Sequence, residues 1–168
     1  MIAVDETLVL GWGNPGRLDD GLGPALVQSL AALRLPRVAV DSDYQLTMED
    51  AAEVARYRRV LFVDADRTGR APFSLRRLRP ALEGSSFSTH SISAGAVLAL
   101  SRDLFDAEPE AWLLGIRGYE FDEFGEGLSD GARANLAQAV TFVRSAIEAE
   151  RFDNGTEHEG KPCPTHLP

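Results

Sequence analysis

The chain has 168 residues, 44% hydrophobic and 26% charged, with a formal net charge of −9. That length fits one domain with one substantial core, and the negative balance argues against general affinity for nucleic acid phosphates or anionic lipid. A single cysteine, Cys163, rules out an intramolecular disulfide framework. The apolar runs are much shorter than a membrane span, and the opening "MIAVDET" lacks the layout of a signal peptide. A cytoplasmic, monomeric protein that binds neither nucleic acid nor membrane is expected.

Strand-like and helix-like patterns alternate along the chain. "TLVLGW", from Thr7, is a short apolar run suited to a buried parallel strand. Beyond Gly21, Leu22, Leu26, Leu30 and Leu33 recur at helical spacing, and Pro36 closes the segment. "RVAVD" (Arg37–Asp41) reads as a second strand. Thr47 with Asp50 suggests a capped helix running to about Tyr57. "RVLFVDA" (Arg59–Ala65) is a third strand, and the alternating "FSLRRL" (Phe73–Leu78) reads as an edge strand or one exposed on one face. A helix is expected from about Ser93 to Phe105, followed by a buried strand, "AWLLGI" (Ala111–Ile116). After an acidic, glycine-rich loop, Ser129 caps a long helix striped by Ala132, Leu136, Val140, Val143 and Ile147. The pattern predicts a single three-layer α/β/α domain over residues 1–151, its mostly parallel sheet having about five strands. From Phe152 the sequence offers no apolar period and predicts a mobile tail over 152–168.

Ligands of such folds gather beyond the carboxyl ends of the strands, so the segment "GWGNPGRLDDG" after the first strand is the first place to look. It contains G-x-G-x-x-G (Gly11, Gly13, Gly16), and Asp41 ends the second strand where a ribose-binding acid belongs. Two features oppose a dinucleotide. "NPG" is a turn, with Pro15 fixing φ and Gly16 free to take a positive value, so the helix begins later, near Asp19 to Gly21. Its first turn then carries Asp19 and Asp20, and a phosphate about 4 Å from such a carboxylate meets repulsion of about 4 kcal/mol per charge pair at an effective dielectric near 20. Alternatively, Asp19 caps the helix and Asp20 lies beside it on the surface.

Two further polar groups occupy comparable places. Asp64 ends the apolar "LFVDA", where a carboxylate is costly without a partner, although it also suits a strand terminus or a turn cap. His90, in "SFSTHSISAG", is the only histidine outside the tail. Asp20, Asp64 and His90 together form a plausible partial site for a divalent transition metal, with coordination positions left open. No G-x-S-x-G elbow or H-E-x-x-H helix offers a competing arrangement, and Cys163 with His166 in the tail is a weak chelating pair.

In order and spacing, "LGWGNPGRLDDGLGPALVQSL", "VLFVDADRTG", "STHSISAGAVLAL", "LLGIRGYEF" and "GEGLSDGARANLAQAV" resemble the [NiFe]-hydrogenase maturation endopeptidases from Thr7 to about Ile147. The resemblance implies a mixed sheet with helices on both faces. It also implies an enzyme that removes the C-terminal extension of a hydrogenase large-subunit precursor after nickel insertion. Nickel is then cargo of the precursor rather than a resident cofactor. The family's metal-contacting, catalytic positions fall on Asp20, Asp64 and His90, the first being Glu in some relatives and one methylene shorter here. Gly11, Gly13 and Gly16 would let the supporting loop curve, with Asn14 and Asp19 holding it by local hydrogen bonds. "DYQLTMEDA" (Asp43–Ala51) is similar to a Q-L-T-P-E stretch of the branch serving NAD-linked bidirectional hydrogenases, with Met48 in the proline position. Two other functions stay open at this stage: a non-catalytic nickel-sensing or chaperone-like module for the precursor, and a dinucleotide-binding oxidoreductase.

Overall fold

The computed structural model describes residues 6–82 and 92–152. Five strands form one sheet: β1 (Thr7–Trp12), β2 (Val38–Asp43), β3 (Arg59–Asp66), β4 (Phe73–Leu78) and β5 (Glu110–Arg117), in the order β2-β1-β3-β5-β4. Four strands are parallel, and β4 pairs antiparallel with β5 at one edge. The helices are α1 (Leu22–Leu33), α2 (Asp50–Val54), α3 (Ala94–Phe105) and α4 (Asp130–Glu148). Among the described residues, no helix is long and apolar enough to cross a membrane.

Strand alternation sorts the core into two layers. Val9, Leu61, Val63, Leu114 and Ile116 face α1 and α4, where they pack with Leu22, Leu26, Ala139 and Val143. Leu8, Leu10, Val60 and Phe62 face the other way, against Val54 of α2 and Val97 and Leu98 of α3. Removing each such Leu or Phe from water contributes about 1.5–3 kcal/mol, so both faces of the sheet are covered by apolar contact. The α/β/α architecture expected from the alternating patterns is therefore the one observed.

Glycines let α1 lie directly on the sheet. A Cβ on Gly11 would stand 2.5 Å from the Gly23 carbonyl oxygen, and one on Gly23 would stand 2.4 Å from that of Trp12. Helix and strand backbones touch here because neither residue has a side chain.

The helix expected from Thr47 to Tyr57 is shorter, because its flanks wind as tight turns. The amides of Asp50, Ala51 and Ala52 donate to carbonyls three residues back, as do those of Arg56 and Tyr57. Only the return half of the cap is present: the Thr47 amide donates to Asp50 Oδ2 at 2.8 Å. Phe152, assigned from the sequence to the tail, is instead 1% exposed within the α1–α4 core, with the Arg59 guanidinium 5.7 Å from its ring centre. One aromatic residue beyond a helix end leaves no periodic signal. Residues 153–168, with Cys163 and His166, lie outside the described residues.

Phe152→Ala is expected to lower the unfolding free energy by about 3–5 kcal/mol in urea titration. Phe124→Ala, at a side chain that is 84% exposed, should stay within about 0.5 kcal/mol of the parent.

Candidate functional site

The chain leaves β1 through α1 to β2 on one side, then crosses back through α2 to β3 on the other. That reversal opens a crevice between the carboxyl ends of β1 and β3, the usual ligand position in such sheets. Asp20 lies in the 3-10 turn Leu18–Gly21 that follows β1. Asp64 lies in β3, one residue beyond the Gly11–Val63 pair. Two of the three ligand candidates read from the sequence thus share this rim. His90, the third, lies outside the described residues.

The backbone of the glycine loop has no room for an anion, because its amides are already used. Gly13 donates to the Asp43 carbonyl, Asn14 to Asp20 Oδ2, Gly16 to Asn14 Oδ1 and Arg17 to the Asn14 carbonyl. Leu18 donates to the Gly125 carbonyl, Asp19 to that of Glu120 and Asp20 to that of Arg17. Pro15 has no amide, so the run from Gly13 to Asp20 leaves no N–H free to cradle a phosphate. The G-x-G-x-x-G match is a coincidence of loop packing, and the dinucleotide reading loses its structural basis. Asp41, the candidate ribose acid, is exposed and accepts from its neighbour Ser42.

Each supporting residue has a definite place. Gly13, at φ +140°, brings its Cα so close to the Asp20 carbonyl that a Cβ would stand 1.9 Å from the oxygen. Asn14 turns the loop locally, as expected, by accepting the Gly16 amide at 2.8 Å. Gly16 does not take the positive φ anticipated for it. An Asn14-centred turn needs none, and the left-handed residue is Leu18, at φ 53°, held by its bond to Gly125.

Asp19 departs most from expectation. It neither caps α1, whose N-cap Gly21 has no side-chain cap, nor bonds locally through its carboxylate. It is 0% exposed, and its carboxylate accepts four hydrogen bonds from far along the chain. Oδ2 accepts from the amides of Tyr119 (2.8 Å) and Glu120 (3.0 Å) and from the Ser129 hydroxyl (2.7 Å); Oδ1 accepts from the Ser129 amide (2.8 Å). Burial pushes its pKa up, but the Ser129 hydroxyl and these three amides outweigh that and hold it below the usual carboxylate value. Ser129, read from the sequence only as a helix cap, does both tasks, accepting the Ala132 amide at 3.2 Å.

Among the described residues, Asp20 and Asp64 differ from Asp19 in having few donors. Asp20 receives the Asn14 amide at 2.8 Å, and Asp64 Oδ1 receives that of Ala65 at 2.8 Å. Burial pushes the Asp64 carboxyl up to about 7; the Ala65 amide works against this, while the charges of Asp20 and then Asp66 add to it. A half-buried acid facing a second carboxylate favours either a proton or a cation. Among the described residues, no three His, Cys, Asp or Glu side chains gather into a metal cluster.

The rim is open rather than enclosed. A cavity of about 260 Å³ lies at the other end of the sheet, lined by Thr7, Arg37, Arg59 and Glu148 among others. It is remote from the carboxylate pair and does not compete with it as the reactive site.

No protein-family model matches the sequence, and no curated protein matches it. Solved structures do share the fold. One is the hydrogenase maturating endopeptidase HybD from E. coli, with a TM-score of 0.71 and 24% identity over 86% of this chain and 93% of that one. Another is the [NiFe] hydrogenase maturation protease HycI from Thermococcus kodakarensis, at 0.65 and 19% over 86% and 93% respectively. A hydrogenase 2 maturation peptidase from a Thaumarchaeota archaeon follows the same fold at 0.61 and 23%, over 84% and 97%. At these identities the similarity establishes the α/β architecture.

The raised Asp64 value has a sign that can be checked. Folded, its pKa is near 7 against an ordinary 3.8, so the folded state binds the extra proton between those values and loses stability as pH rises through them. Asp64→Asn should raise the melting temperature at pH 8, removing a penalty on the order of a few kcal/mol. At pH 2.5, well below both values, the acid is protonated in both states and the two proteins should melt alike. Equal melting at pH 8 would contradict this.

Proposed function

We propose that the protein is an endopeptidase that removes the C-terminal extension of a [NiFe]-hydrogenase large-subunit precursor after nickel insertion. The observation that carries this reading is the Asp20–Asp64 pair at the crevice, poor in donors and electrostatically suited to a cation. It is supported by a fold shared with structures named as hydrogenase maturation proteases and by the motif order from Thr7 to Ile147. The nickel is the precursor's cargo, held there before the two proteins meet.

In this reading Asp20 and Asp64 contribute oxygen ligands and His90 an imidazole, a mixed set suited to a divalent transition metal. The assignment of His90 rests on the sequence. Coordination draws Asp64 into its charged form, because the cation offsets both the desolvation and the Asp20 repulsion. The nickel then acts as a template and Lewis acid, positioning the scissile peptide and polarising its carbonyl or activating a water. Cleavage depends on nickel because the protein's own ligands leave the shell incomplete. The proposal extends to the branch serving NAD-linked bidirectional hydrogenases, which "DYQLTMEDA" resembles apart from Met48 in the proline position.

The test compares nickel-loaded with nickel-free precursor, following loss of the C-terminal peptide by mass spectrometry. Only the loaded form should be cut. Asp20→Asn, Asp64→Asn and His90→Ala should each reduce processing at least 100-fold, roughly the loss typical of a catalytic electrostatic group, while remaining folded by circular dichroism. Binding of the loaded precursor without cleavage would instead favour a nickel-sensing module. Gly13→Ala should also impair processing, since the new methyl displaces the Asp20 backbone; unchanged turnover in that variant would contradict the loop geometry.

A further inference from the structure

Asp19 is a fully buried carboxylate that the proposed chemistry does not use. The turn that carries Asp20 has local bonds, from the Asp20 amide to the Arg17 carbonyl and from the Asn14 amide to Asp20 Oδ2, but no side-chain cap at either end. Leu18 holds a left-handed conformation that a branched side chain rarely adopts. Further support for this turn comes from the segment between β5 and α4.

Two sets of bonds join them. The backbone ladder consists of Leu18 N–H to the Gly125 carbonyl (3.0 Å), Gly125 N–H to the Gly16 carbonyl (2.9 Å) and Asp19 N–H to the Glu120 carbonyl (2.9 Å). The carboxylate of Asp19 then gathers the amides of Tyr119, Glu120 and Ser129 and the Ser129 hydroxyl, across 100 to 110 residues of sequence. Gly118 permits the approach, since a Cβ there would stand 2.9 Å from the Asp19 Cβ and 2.7 Å from the Phe121 ring. Only a carboxylate suits this position. Both of its oxygens face donors, so an amide in either orientation would present an NH2 to another N–H or O–H.

We propose that Asp19 is a positioning residue: by clamping the Tyr119–Ser129 segment to the first loop, it holds the adjacent Asp20 carboxylate at the crevice. The site thereby depends on a segment outside the carboxylate pair. The inference rests on the proposed cation site for its kinetic readout alone.

The direct readout is amide exchange at Asn14, whose N–H donates to Asp20 Oδ2 and so reports where that carboxylate sits. In Asp19→Asn, measured by NMR under native conditions, Asn14 exchange should rise at least tenfold more than that of core amides such as Leu61. Ser129→Ala leaves Asp19 charged and removes one donor; it should shift Asn14 in the same direction by less, and it decides the matter if Asp19→Asn fails to fold. Val143→Ala, in the core about 20 Å along α4 from Ser129 by helical rise, serves as a destabilised control and should leave Asn14 no more affected than the core. On nickel-loaded precursor, Asp19→Asn should lower kcat at least tenfold with little change in KM, a split that Val143→Ala should not show. If wild type does not cleave, the functional proposal fails while the exchange data still judge the clamp. Asn14 exchange that follows the core in both Asp19→Asn and Ser129→Ala would overturn it.

Discussion

Two carboxylates held at the mouth of one crevice, each with a single backbone donor among the described residues, are the constraint on which the account of this structure depends. Delivering Asp64 on an apolar strand desolvates its carboxyl, and the neighbouring charge of Asp20 adds to that cost. The fold bears that cost visibly at Asp64, whose carboxyl rises to about 7. Core packing has no use for such an arrangement. A divalent cation presented from outside would offset both penalties together, which is the physical basis of the proposed cation site.

The adjacent acids Asp19 and Asp20 show how environment divides identical chemistry. Asp19 is turned inward and meets four donors, which makes its charge a tether between distant segments. Asp20 points to the rim with one backbone donor on Oδ2, which leaves it capacity for a ligand. The glycines serve this arrangement. Gly11 lets α1 approach β1, Gly13 lets the Asp20 backbone fold back over the loop, and Gly118 makes room for Asp19. With every amide from Gly13 to Asp20 engaged internally, the segment offers the Asp20 carboxylate to the rim instead of N–H groups.

Much of this was legible because it is local. Apolar runs and helical spacings predicted the five strands and the long helices, and of the two readings left open for "FSLRRL", an edge strand or one exposed on one face, β4 takes the edge. Asp20 and Asp64 stood out because carboxylates at strand ends facing a crevice have few structural uses. The misreadings share a different cause. The partners of Asp19 lie 100 to 110 residues away, so a local reading saw only a helix cap. The left-handed residue of the loop is Leu18 rather than Gly16 because Gly125 holds it there. Phe152 joins the core through tertiary contact, with no periodicity to announce it.

The central claim, that Asp20 and Asp64 jointly receive a cation, is tested most directly by anomalous diffraction at the nickel edge from crystals of the chain soaked in Ni²⁺. The account predicts a peak between the two carboxylates, within about 2.0–2.2 Å of an oxygen from each, comparable to other carboxylate-bound divalent metals. Carboxylates pointing apart, or nickel bound only elsewhere on the surface, would contradict it.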